Sequence, residues 1–372
     1  MTSKPRILHI APANISGVPG QFVQSERQLG YDSRLVTLFA DPRNYFQDIC
    51  LALPFIDFAP TKWIKKLVSD PNKLRVVNKA PTLESIPLVW RPHSCLEKAL
   101  VSFRDRWWQP KVKRAIKEFH LDSFDVYQLD GGLGFYRNAS FISEMKRQGK
   151  KIICCYTGSD LRTRGVIEKI DQMSETNVTV EFDHLQLHPN IKHVFFPFDA
   201  SRFKPHEHHV NTKPVRIGHA PTNRAAKGSD IIIPILQKLS RTHNAEIELI
   251  EGMSYEKALE RKRACDIFVD QIGDLGYGIN SLEAMAMGIP ACSCLAPGFA
   301  EMYPDHAFVD IHAENLADRL TPLIENASFR RVIGERARDW VRENHDAVKV
   351  VRKIHQIAGI DDNTDGPFSD AN

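Results

Sequence analysis

Residues 270–294, DQIGDLGYGINSLEAMAMGIPACSC, constrain the fold more tightly than any other stretch of the chain. An apolar run over 266–270 reads as a strand, and Gly273, Gly276 and Gly278 punctuate the loop that follows it. Leu282, Met285 and Ala286 then share one face of a helix, Gly288 stops that helix, and 289–294 reads as the next buried strand. Strand, glycine loop, helix and strand in that order is the repeating unit of an α/β fold with a parallel sheet. The loop glycines let the backbone approach a ligand closely. The helix start, expected over 279–281, points free N–H groups and a positive dipole end at any anion docked there. Glu283 falls on the first turns beside that terminus. The plain alternative, an ordinary strand–loop–helix with Glu283 in solvent, is equally compatible with the spacing.

The chain has 372 residues, 42% of them hydrophobic, enough for one large or two medium domains. A net charge of +3 is too mild to argue for a nucleic-acid partner. No apolar run reaches the length of a membrane span and residues 1–10 lack a signal-peptide core, so a cytoplasmic location is expected. Seven cysteines, none in zinc-type spacing, with Cys154, Cys155, Cys292 and Cys294 in apolar strands, are expected to be buried free thiols. Asn138, Asn177 and Asn326 begin Asn-x-Ser/Thr triplets that carry no weight without a secretory signal.

The same α/β rhythm runs through the rest. A strand over 6–11 leads through the loop NISGVPG to a helix over 21–29 and a strand over 34–39; Gly17 and Gly20 either cradle a phosphate or make the turn. Residues 42–110 are uninformative apart from two aromatic and basic segments, 62–67 and 104–114. Each reads either as a helix with packed tryptophans and a solvated basic face or as a peripheral contact with an anionic membrane. Strands follow over 125–129 and 151–156, with the loop Asp130 to Gly134 after the first and TGSDLRTRG, residues 157–165, after the second. Loops at the carboxyl ends of strands are where open α/β sheets bind ligands. Asp130, Ser159, Asp160 and Arg162, with Arg164, are therefore candidate ligand-binding residues, for an acceptor sugar or an anionic group, against an Asp160–Arg162 turn of purely local meaning.

Strands over 178–182 and 193–196 close a first domain, 1–198, and a polar linker covers 199–214. Its histidines, His206, His208 and His209, are expected in solvent rather than on a metal. A second domain, 215–345, opens with a strand over 215–219 and the pair Arg224 and Lys227 before a helix over 230–239. Cations at a helix start are disfavoured by its dipole, so an anion such as a diphosphate is expected between them, with two exposed charges as the alternative. Strands over 245–250 and 307–309, helices over 255–263, 315–326, 329–345 and 347–358, and a polar, disordered tail over 361–372 complete the reading.

The run LGYGINSLEAMAMGIP resembles the donor-site signature of the retaining glycosyltransferases of family 4, Glu-Gly-Phe-Gly, four residues, then Glu-Ala-Met-Ala-x-Gly-x-Pro, from Gly276 to Pro290. Pro197, Asp199 and Phe203 resemble the family's crossover into its second domain. The resemblance implies the GT-B fold: two Rossmann-like domains facing each other across a cleft, the first for the acceptor and the second for the nucleotide-sugar donor, with a last helix (346–360) returning to the first. It implies that Glu283 holds the nucleotide ribose and that Arg224 and Lys227, in a spacing shorter than the family's usual one, clamp the leaving diphosphate. Gly276, Tyr277, Gly278, Ile279 and Asn280 would line the donor, and Gly17 would face the cleft. Two positions depart from the pattern. Leu275 stands where a Glu faces the donor sugar, with Asp274 as its nearest substitute, and Thr157 stands where many members carry His.

The implied reaction moves a sugar from a nucleotide-diphosphate donor to a carbohydrate or lipid-linked acceptor with retention, in polysaccharide or glycoconjugate synthesis. The leaving phosphate takes the acceptor proton, without metal or cofactor. A catalytically silent nucleotide-sugar-binding subunit and a GT-B sugar-nucleotide epimerase are the alternatives.

Overall fold

The computed structural model describes residues 4–41, 45–54, 86–92, 94–206, 214–273 and 276–360. The chain divides into two compact units, Met1–Phe195 with Val350–Asn372, and Phe196–Lys349. The first is built on seven strands: β1 (Ile7–Ala11), β2 (Ser33–Thr37), β3 (Ile49–Cys50), β4 (Val126–Asp130), β5 (Lys151–Tyr156), β6 (Thr176–Thr179) and β7 (Lys192–His193). Every pair is parallel and the order is β3-β2-β1-β4-β5-β6-β7, so the winding reverses between β1 and β4. β1 is buried along its whole length, as a central parallel strand covered on both faces must be. Leu8 and Ile10 pack with Tyr127, Leu129, Phe135 and Tyr156 in the main core.

The second unit repeats the plan with five strands, β8 (Val215–His219), β9 (Ala245–Leu249), β10 (Ile267–Gln271), β11 (Ala291–Ser293) and β12 (Val309–Asp310). They too are parallel, in the order β12-β11-β10-β8-β9, so the reversal falls between β8 and β10. In open α/β sheets such a reversal opens a crevice at the strands' carboxyl ends.

The helix Ile279–Ala286 starts and stops where the sequence places it, and Gly288 follows with φ 78°. A second glycine is required opposite it. The helix Ala327–Asn344 crosses at Gly334, where an added Cβ would lie 1.9 Å from the Gly288 carbonyl oxygen. After His345 the helix Ala347–Ala358 begins; the part from Val350 belongs to the first unit. There His355 Nε2 meets Glu26 Oε1 at 3.0 Å and Lys151 Nζ donates to the carbonyl of Gly359 at 2.8 Å.

Several expectations shift. The first helix spans Val18–Gln28, three residues earlier than expected, because Pro19 suits a first turn and Gly17, at φ 77°, makes the entry. β6 and β7 are shorter and earlier than the sequence suggested, and Phe182 lies in a short helical turn instead. The uninformative stretch holds a 25-residue helix, Cys95–Phe119, capped by Ser94. It contains the segment 104–114, in which Trp108 is buried and donates to the Pro54 carbonyl at 2.9 Å, while Trp107 is exposed. The segment 62–67, His208 and His209, and the tail 361–372 lie outside the described residues.

His206 is not in solvent: it is buried, with Nδ1 2.7 Å from the Arg263 carbonyl and Nε2 3.4 Å from Asp266. A polar linker can still pack its side chains where a neighbouring strand start supplies a carboxylate. Nor are all the thiols buried, since Cys95 is exposed at the start of its helix. No helix among the described residues is long and apolar enough to cross a membrane.

Candidate functional site

The reversal between β8 and β10 gathers charged side chains at one place. Asp270, near the end of β10, is buried and accepts hydrogen bonds from Ser281 Oγ at 2.7 Å and from the Gly278 N–H at 3.3 Å. Lys227 Nζ reaches the same carboxylate at 3.0 Å and Gln271 Oε1 at 2.8 Å. Burial alone would raise the Asp270 carboxyl; Lys227 and Ser281 outweigh it and hold it below the usual range. An ammonium has three N–H donors. Two of those on Lys227 are engaged, its side chain remains 14% exposed, and a Cβ at Gly278 would lie 3.8 Å from Nζ. The helix Ile279–Ala286, with Gly278 at its cap position, has no side-chain cap. A fixed ammonium therefore stands beside an uncapped helix N-terminus, the two elementary devices for holding an anion.

Two glycines hold this loop in place. Ile272 N–H donates to the Lys227 carbonyl at 3.2 Å, and a Cβ on Gly273 would lie 2.3 Å from the Ala226 carbonyl oxygen. Gly228, at φ 68°, faces Gly273 from the other side. Behind them His219, at the end of β8, is fully buried, with Nδ1 on the Val269 carbonyl and Nε2 on Ser229 Oγ, both at 2.8 Å. Burial pushes its pKa down, so it is a neutral strut for the site.

The expected helix over 230–239 runs from Ser229 to Thr242, and the two cations precede it on a separate turn, Arg224–Lys227, capped by Asn223. Arg224 is the first residue of that turn and Lys227 immediately precedes Gly228, the cap of the longer helix, so both cations stand at helix starts, where the dipole disfavours them. Arg224 is exposed and makes a two-pronged pair with Glu251, at 2.8 and 2.6 Å.

Glu283 is 3% exposed rather than open to solvent. Its Oε1 accepts from Tyr255 Oη at 2.8 Å and its Oε2 from the buried Lys262 Nζ. Lys262 also donates to Asn280 Oδ1 at 2.7 Å and lies over the Phe268 ring. The sequence reading missed Lys262 and Tyr255. Their signal was the 3- and 4-residue spacing that puts Lys262 on one helix face with Leu259 and Ala258.

Tyr277 turns its side chain into the core. It is buried, stacks on Phe308 at 4.3 Å and has Oη 3.3 Å from His345 Nε2, so only its backbone borders the loop. Gly276 accepts through its carbonyl from Ser293 Oγ at 3.1 Å. Ile279 and Asn280 open the helix. Asp274 and Leu275 lie outside the described residues.

In the first unit, the candidate acceptor residues separate into two groups. Asp160 accepts three backbone N–H groups, from Thr157, Gly158 and Leu161, at 2.9, 3.0 and 2.7 Å, and so organises its own loop. Ser159 is exposed beside it. Arg162 grips Asp183, with Nε–Oδ2 at 2.7 Å, and Glu181 at 2.9 Å. Asp130 belongs elsewhere: it is buried, 3.2 Å from His9 Nδ1 and 3.0 Å from Gln128 Nε2, inside a core network. Gly17 makes a turn with its extra conformational freedom. Among the described residues no group of three or more His, Cys, Asp or Glu side chains gathers as a metal site would.

Residues 235–340, which include the helix Ile279–Ala286 and its loop, match the family model of glycosyl transferases group 1. No curated protein sequence matches the chain. Among solved structures it is similar to sucrose-phosphate synthase from Thermosynechococcus elongatus, at 12% identity and TM-score 0.55, covering 95% of this chain and 98% of that one. HepE of Anabaena, in complex with UDP and glucose, aligns at 11% identity and TM-score 0.55, over 95% and 99% of the two chains. At that identity the likeness speaks for the fold, which is GT-B along the whole chain.

Proposed function

We propose that the protein is a glycosyltransferase that moves a sugar from a nucleotide-diphosphate donor to an acceptor hydroxyl with retention of configuration. The observation that carries the reading is Lys227, fixed by Asp270 and Gln271 beside the uncapped N-terminus of Ile279–Ala286, next to residues that match a glycosyl transferases group 1 model. A departing diphosphate needs preorganised positive charge, and an ammonium held by two protein acceptors requires little rearrangement to supply it. Arg224 would add a second cation by exchanging Glu251 for a phosphate oxygen. Glu283 is assigned to the ribose, with Tyr255 and Lys262 fixing its carboxylate; Tyr255, 40% exposed, is the side chain a ribose would join or displace.

In the proposed reaction the bond from the sugar's anomeric carbon to the phosphate oxygen breaks. The acceptor oxygen bonds to that carbon on the same face, and its proton passes to the leaving phosphate. No metal or cofactor takes part in this scheme. Polysaccharide or glycoconjugate synthesis is the proposed setting, with a carbohydrate or lipid-linked acceptor.

Calorimetric binding of UDP, GDP and ADP, with hydrolysis of the matching sugar nucleotides, tests the reading; UDP comes first because HepE was solved with it. One nucleotide should bind, its sugar donor should hydrolyse slowly, and Lys227→Ala should weaken binding about tenfold, the worth of one charged hydrogen bond. Failure of all three nucleotides to bind overturns the donor-site assignment. Tight binding without turnover, even when acceptors are supplied, favours the silent subunit that Leu275 in place of a sugar-facing Glu would produce.

A further inference from the structure

The first unit contains a guanidinium whose surroundings do not suit it. Arg137 Nη1 is buried and has no hydrogen-bond partner among the described residues. The nearest carboxylate is spent elsewhere: Asp105 gives Oδ1 to Arg104, at 2.8 and 3.2 Å, and Oδ2 to the backbone N–H of Arg137, at 2.8 Å. Burial, with Arg164 and Arg104 close by, pushes the Arg137 pKa down to about 9, and Asp105 and Glu97 only partly offset them. The Tyr136 hydroxyl, one residue away, is also buried without a partner among the described residues. A buried guanidinium nitrogen without an acceptor is costly, although Arg137 as a whole is only half-buried, and an anion that reached it would remove that cost.

Arg137 also lines two cavities. One, of about 590 Å³, is walled by Trp90, Phe103, Lys98, Arg106 and Asn138. The other, of about 160 Å³, is bordered by Arg104, by Pro12 and Leu38 after β1 and β2, and by Leu133 after β4. The smaller cavity therefore lies at the carboxyl ends of the strands where this sheet reverses, the general location of ligands in such sheets. Among the described residues, Arg104, Arg137, Lys98 and Arg106 face these cavities, and the one carboxylate in their walls, Asp105, is already paired. Trp90, 5.1 Å from the Arg137 guanidinium, adds a flat apolar wall.

We propose that Arg137 and Arg104 bind an anionic group, a phosphate or carboxylate, on a ligand whose remaining bulk fills the larger cavity against Trp90 and Phe103. If the glycosyltransferase reading holds, that ligand is the acceptor, which then carries a negative charge; the anion site itself stands on the geometry of the first unit alone. The planar fork of arginine suits both groups, and the rim cations Lys98 and Arg106 draw the anion in.

Calorimetry on the full chain, titrated with inorganic phosphate, glycerol 3-phosphate and acetate, tests the site. Phosphate or acetate should bind the unaltered protein, and Arg137→Gln should weaken that binding about tenfold. The exposed rim pair Lys98→Gln with Arg106→Gln, far from the core, should weaken it by about threefold through lost attraction, and serves if Arg137→Gln does not fold. UDP, GDP and ADP titrated into the same variants should bind as they do to the unaltered protein. Loss of nucleotide binding with the anion site intact would count against the function and not against this site.

Co-sedimentation with phosphatidylcholine vesicles containing phosphatidic acid separates the sources. Arg137-dependent capture only on vesicles assigns a lipid headgroup, and Arg137-dependent binding of glycerol 3-phosphate in solution assigns a free anion. Equal binding of the soluble anions and vesicles to the unaltered protein and all variants, or no binding of any soluble anion or vesicle, overturns the proposal.

Discussion

Glu283 and Lys262 form a buried ion pair within the segment matched to the family. Taking both charges out of water costs several kcal/mol each, and the pair is tolerated because Tyr255 and Asn280 satisfy further hydrogen bonds around it. Removing one partner strands the other. Lys262→Ala should therefore lower unfolding stability by about 3 kcal/mol, read from the denaturant midpoint, whereas Lys262→Met combined with Glu283→Gln should lose distinctly less. Equal losses would mean that the two charges do not depend on each other. This pair also marks where residue-level reading stopped. Glu283 was legible because its neighbours Ala284, Met285, Ala286, Gly288 and Pro290 form a recognisable string, while Lys262 sits in ERKRA among charges that are exposed or half-exposed. Composition cannot single out the one charged side chain that folds inward to meet a carboxylate 21 residues away.

Elements were legible where burial is periodic and local. Strand β10, its loop and the helix Ile279–Ala286 carry a repeating apolar signal, and they fold where that signal puts them. The helix Cys95–Phe119 buries only Asp105, Trp108, Val112 and Ala115, one of them charged, so its face is too thin to read as amphipathic. The turn Arg224–Lys227 is too short to carry any periodicity, although it places Lys227. The contact of Gly288 with Gly334 belongs to this scale as well, because it sets how closely one helix crosses another. Gly334→Ala would push a methyl group against backbone that cannot rotate away. Thermal unfolding should show a loss of about 2 kcal/mol, in the range of overpacked cores, with Val332→Ala on the same helix's exposed side nearly neutral. An unshifted Gly334→Ala transition would show that the two helices separate at little cost.

For the whole molecule, the return of the chain to its first unit depends on a buried charge network. His9 on β1 lies between Glu26 Oε2, at 2.9 Å, and Asp130 Oδ2, at 3.2 Å, and Phe22 packs on its ring. Glu26 also accepts from Ser33 Oγ at 2.5 Å and faces His355 of the last helix. Burial works against the charged form of both groups, yet the pairing prevails. His9 is raised from 6.5 to about 10 and Glu26 is lowered from 4.5 to about 2. The raised histidine contributes its stability in full below pH 6.5 and loses it as pH climbs toward 10. The depressed carboxylate contributes above pH 4.5 and loses it as pH falls toward 2. Both contributions are complete only between pH 4.5 and 6.5. Amide-exchange protection of the helix Ala347–Ala358, measured from acid to alkaline pH, should peak in that window. Glu26→Gln removes the carboxylate that both histidines face, so the profile should flatten on the acid side and the alkaline loss should begin earlier, since His9 would keep only Asp130. A profile that Glu26→Gln leaves unchanged would mean that apolar packing alone, such as Val351 and Ile354 in the core, anchors the last helix.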